Sequence, residues 1–204
     1  MELTRALDQI SEIHGQMAKG EIYRGYRPAP VALSGLLGIA AAATQSCFVP
    51  AFSSSVFLRY WIIVGGLSAL VASSGVLAHF ILHSDRFARW RTLHVVGQLA
   101  PCIVAAVTVT AGFARSAPSM LHLLPGIWSV IFALGVFSSR PYLPRAAGWI
   151  GLWYLAAGAW QLLHPLPLGP PAAWAIGVTF GLGQLAAAAM LYFDIQRNDS
   201  NGEC

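Results

Sequence analysis

Residues 57–82 read "FLRYWIIVGGLSALVASSGVLAHFIL", with one charge, Arg59, near the start and none after it. A helix needs about 20 apolar residues to cross a hydrocarbon core of roughly 30 Å, so this run is long enough to cross at a tilt. In lipid every backbone N–H and C=O must be paired within the segment, which makes a helix the only reading at this length. Five further runs meet or approach the same requirement: Pro30–Val49, Val95–Ala114, Leu121–Ser139, Ala147–Leu163 and Ala172–Phe193. The expected fold class is therefore all-α, a polytopic transmembrane helical bundle of six spans. Its fourth and fifth runs are barely separated, by "SSRPYLPRAAG" at 138–148.

Composition agrees. Of 204 residues 56% are hydrophobic and 10% charged, against roughly 25% charged in soluble domains, too few to cover a water-facing surface. The formal charge of +4 lies in short loops rather than on one face, so it does not point to nucleic acid. Cys47, Cys102 and Cys204 have no paired spacing and read as small hydrophobes or isolated thiols.

The arginines orient the chain. Arg5, Lys19, Arg24 and Arg27 precede the first run, Arg86, Arg89 and Arg91 follow the second, Arg140 and Arg145 follow the fourth, and Arg197 follows the sixth. The opposite side carries only Arg59 and Arg115. Basic loops stay in the cytoplasm, which predicts both termini there, in a bacterial inner membrane. The chain then divides into a cytoplasmic amphipathic helix and anchor at 1–27, a transmembrane domain at 28–195 and a short cytoplasmic tail at 196–204. In "EIYRGYRPAP" (21–30), Tyr23 and Tyr26 supply rings for the headgroup level and Arg24 and Arg27 hold the cytoplasmic side. Pro28 and Pro30 restart the chain as the first span.

Residues 2–19 place Leu3, Ala6, Leu7, Ile10, Ile13, His14 and Met17 on one helical stripe. The polar face has Glu2, Asp8 and Glu12 against Arg5 and Lys19, whereas a helix lying on anionic lipid is rich in bases. Beyond the bilayer itself, the expected partner is thus protein, a second copy or another polypeptide, engaged through residues 1–20.

Ionisable groups in mid-membrane usually mark function because they are expensive to keep there. Only histidine qualifies here, which speaks against proton- or sodium-coupled transport. Two pairs at membrane level, His79 with His94 and His122 with His164, are the candidates for holding a haem between helices. His79, His83 and His94 give a metal alternative, but no carboxylate or cysteine completes a ligand motif. No cofactor is therefore predicted, with haem as the alternative. Gln45, Gln98, Gln161, Gln184, Ser68, Ser73, Ser74, Thr108 and Thr179 are costly against lipid, and each is expected to face another helix or a cavity. Gln98 and Gln184 lie deepest and are the candidates for a polar pocket. Gly177 and Gly181 form a GxxxG pair for close helix packing, and Pro101 predicts a kink. No nucleophile elbow, HExxH, phosphate loop or carboxylate pair is present.

The stretches "LLPGIWSVIFALGVFSSR", "GWIGLWYLAAGAWQLL" and "GVTFGLGQLAAAAML" resemble a group of uncharacterised bacterial integral membrane proteins, with the Leu-Pro-Gly-x-Trp motif at Leu124–Trp128. The resemblance implies a multi-pass fold behind an amphipathic amino-terminal helix, and no activity. The expected function is a non-enzymatic sensor, regulatory or complex subunit acting through its amino-terminal helix. The alternatives are a haem- or metal-binding redox protein and a facilitative carrier of a small neutral molecule.

Overall fold

The computed structural model describes residues 27–49, 53–82, 86–144, 146–167 and 169–201, without the side chains of 78–82 and 86–96 among others. These residues form six α-helices: α1 (Pro28–Phe48), α2 (Ser54–Leu82), α3 (Arg86–Ser116), α4 (Leu124–Ser138), α5 (Ala147–Leu163) and α6 (Pro170–Asn201). No strand occurs among the described residues. Five stretches are long and apolar enough to cross a membrane: Pro28–Phe48, Ser54–Gly75, Gly97–Ser116, Pro118–Ser138 and Pro171–Asp194. The remaining helix, α5, has 17 residues. That gives it a length of about 26 Å at 1.5 Å per residue. The amphipathic helix expected over 2–19 lies outside the described residues.

Proline sets several boundaries. Arg27 is extended (φ −94°, ψ 135°) because Pro28 follows it, and α1 begins at that proline, whose missing N–H is no loss in a first turn. At the other end Val49 is extended before Pro50. The fourth run is not one helix as expected: a 3-10 segment over Pro118–Leu123 precedes α4, and Pro125 then sits in the first turn of the α-helix. Gly169, with φ of 145°, turns the chain into Pro170 and Pro171 at the start of α6. Helix α3 continues through Pro101. The polar residues 86–94 and 194–201 also belong to helices, since a helix leaving the apolar layer keeps its internal hydrogen bonds.

Each helix packs against its neighbours in sequence, and α6 closes the ring on α1. Neighbours run antiparallel. Gly35 of α1 faces Gly181 of α6 while Val31 packs with Ala188 and Leu191. Gly126 of α4 faces Gly158 and Leu162 of α5, and Phe137, at the far end of α4, meets Gly151. Arg27, Gly75 and Arg140 accordingly lie at one end of the bundle, and His122, His164 and Gly169 at the other.

Lipid supplies little hydrophobic drive between helices, so contact depends on close fit and hydrogen bonds. Glycines provide the fit in the two most extensive interfaces, α1–α6 and α4–α5. A Cβ on Gly35 would lie 2.8 Å from the Gly181 carbonyl oxygen, and one on Gly158 would lie 2.9 Å from that of Gly126. The outer helices differ. Gly65, Gly66, Gly97 and Gly112, on α2 and α3, have nothing within 4 Å of where a Cβ would be, and Thr110 is the buried position on the membrane-length part of α3.

One polar joint holds α2 to α1. Trp61 Nε1 donates to Gln45 Oε1 at 2.7 Å, and both side chains are buried. Trp61→Phe keeps an aromatic ring, though a smaller one, and strands the amide oxygen. We expect a loss of about 1–2 kcal/mol in the denaturant-induced unfolding of the purified protein. An unchanged midpoint would mean that Gln45 finds another donor.

Candidate functional site

The polar groups that converge do so at the arginine-poor end, where α4, α5 and α6 meet. Helix α5 points its carboxyl-terminal turns at α6. Gln161 Nε2 donates to Thr179 Oγ1 at 2.9 Å, and both residues are buried. Trp153 Nε1 donates to the Thr179 carbonyl at 2.9 Å, and the Tyr154 hydroxyl reaches the Phe180 carbonyl at 3.4 Å. The amide oxygen of Gln161 has no partner among the described residues. An unpaired buried acceptor of this kind costs about 1–3 kcal/mol.

Gln161 lines a cavity of about 10 Å³ with His122, Pro125, Leu166, Ala172 and Ala175. His122 is half-buried, and its Nδ1 lies 2.8 Å from the Ser119 carbonyl. A carbonyl only accepts, so Nδ1 carries a proton and donates, and Nε2 is the ring nitrogen left for another partner. The site therefore offers an imidazole nitrogen and an amide in an otherwise apolar pocket. It has hydrogen-bonding capacity and no fixed charge.

The remaining residues singled out by sequence lie on several helices. His164 is exposed, stacked on Trp160 at 5.4 Å, with Nδ1 3.2 Å from the Trp160 carbonyl. His79 and His94 are on α2 and α3, and their side chains, with all of His83, lie outside what is described. Among the described residues no three His, Cys, Asp or Glu side chains group as metal ligands. Gln98 is exposed on α3, while Gln184 on α6 is half-buried with its Cβ against Gly35. Helices α3 and α6 are not a packed pair, so these two amides are not brought together. Gly177 and Gly181 face α1, at Ala42 and at Ile39 with Gly35. Arg27 is exposed at the start of α1 beside Gly75, whereas Tyr23, Arg24 and Tyr26 lie outside the described residues.

The hydroxyls also depart from expectation. Ser73 and Ser74 are exposed on α2 rather than turned to a helix or cavity, and each bonds a carbonyl of its own helix, Ala69 and Val71. Thr44 does the same toward Ala40 at 2.8 Å. Back-bonding removes the penalty for facing lipid, and amides are too long to do it as neatly. Gln45 and Gln161 are the amides the fold buries. Their signal was a tryptophan or threonine at matching depth on the adjacent helix, Trp61 or Thr179, and neither can be paired without knowing which helices touch.

No protein-family model, no curated protein and no solved structure matches this chain, so none of these residues takes a role from a relative.

Proposed function

We propose that the protein is a six-span integral membrane protein that acts by association, as a regulatory or complex subunit, with both termini and the arginine-bearing turns in the cytoplasm of a bacterial cell. The observation that carries this reading is the filled centre of the bundle. Tyr154 is fully buried against Gly183, with Phe132 4.6 Å and Phe180 5.3 Å away between ring centroids. Ala133 and Ser129 are fully buried around it, and Gly126 and Gly158 bring α4 and α5 into backbone contact. A carrier needs a polar route near mid-membrane, and bulky rings and interlocked glycines occupy that depth here.

Six crossings are supported by the α4–α5 register. Helix α5 retraces α4 from Gly126 at one end to Phe137 at the other, so where one crosses the bilayer its partner crosses too. This register favours an even count, and the antiparallel α1–α6 pair is consistent with it. Protein contact through residues 1–20 rests on their acid-leaning polar face.

Two measurements test the reading. Reporter fusions after Ser84 and after Gly202 should both be active on the cytoplasmic side, and fusions on opposite faces would overturn the even count. Purification from mild detergent, with and without residues 1–20, should show associated protein lost on truncation. The same associated set in both samples would remove the role given to that segment.

A further inference from the structure

We propose that the cavity among α4, α5 and α6 is a built site for a single water molecule, held between the Gln161 amide and the His122 imidazole. Volume comes first. At about 10 Å³ it is at the lower limit for one water, about 10–15 Å³, and it is too small for a polyatomic organic ligand. Chemistry comes second. Buried waters occupy polar cavities where they satisfy groups the protein leaves unpaired, and apolar cavities of similar size stay dry. Gln161 is 94% buried by its 6% exposure, and its Oε1 is an orphan.

Either orientation of the Gln161 amide leaves a group for water to satisfy. Turned the other way, Gln161 would accept from the Thr179 hydroxyl and present its NH₂ to the cavity. One end of the amide is unpaired in both arrangements, and water satisfies either end because it both donates and accepts. His122 fits the same guest. With Nδ1 committed to the Ser119 carbonyl, Nε2 of a neutral imidazole accepts, and a guest that donates fits it. A water donating to His122 and exchanging a bond with Gln161 ties the 3-10 segment before α4 to the last turns of α5. It does so where Leu166 and the first turns of α6 border the cavity.

The test uses the full chain in lipid bilayers, with glutamine and tyrosine side chains isotopically labelled for water-edited solid-state NMR. Gln161→Leu identifies the Gln161 signal. The expected result is magnetisation transfer from water to the Gln161 side chain several-fold faster than to the Tyr154 ring, despite the burial of both. Transfer as slow as at Tyr154 would show a dry cavity and overturn the proposal. His122→Phe keeps a ring and removes the acceptor, and the water signal at Gln161 should fall toward the Tyr154 level. If it stayed at the wild-type rate, the histidine would not hold the water and the two-residue site would be wrong.

Discussion

Leucine in place of Gly181 should destabilise the protein by about 3 kcal/mol, near the upper end of what overpacking costs. A Cβ at this position would meet the side chain of Ile39 and lie 3.2 Å from the Gly35 carbonyl. The backbone oxygen cannot move aside, so α1 and α6 must separate along their length. Gly66→Leu is the control: nothing lies within 4 Å of its would-be Cβ. The loss of a glycine from a helix interior is worth up to about 1 kcal/mol in its favour. Unfolding of both variants in mixed micelles, followed by tryptophan fluorescence, separates them. Equal losses in the two would mean that the α1–α6 contact is not what holds the bundle.

The second large effect is expected at Tyr154. Tyr154→Ala should cost about 2–3 kcal/mol, less than the figure for a large aromatic in a soluble core. The transfer from water is missing when the unfolded reference is itself in lipid, and the cavity left among Phe132, Phe180 and Gly183 remains. Tyr154→Phe should cost under about 1 kcal/mol, because the hydroxyl meets the Phe180 carbonyl at only 3.4 Å. Gly183→Ala pushes a methyl into the same ring. It should be destabilising alone and partly relieved in the double variant with Tyr154→Ala, where the methyl occupies vacated space. Strict additivity of the two changes would show that the ring does not sit over Gly183.

Helix limits were legible because length and apolarity act within one segment. Ala147–Leu163 agrees at both ends with its helix. Prolines at 28 and 50 set the ends of α1 by local sterics alone. What each helix faces was not legible. The spans are apolar nearly all round, so no periodicity distinguishes a lipid-facing side from a buried one. That is why Gln98 is exposed while Gln161, chemically the same and also near the end of its run, is buried. Glycine came nearest to a readable code, yet Gly65, which with Ala69 repeats the four-residue spacing of Gly177 and Gly181, has no described atom within 4 Å of its would-be Cβ. Small size permits an approach without naming the helix that makes it.

The closure of the ring has a consequence for biogenesis. Helix α1 is synthesised before α2 to α5 and finds its most extensive partner in α6, which follows them. Throughout translation of the four helices between them, the notch formed by Gly35 and Gly38 must wait unfilled, shielded by lipid or by the insertion machinery. Release of a truncated product before α6 would leave that notch open on an otherwise assembled protein, a surface quality-control proteases can recognise.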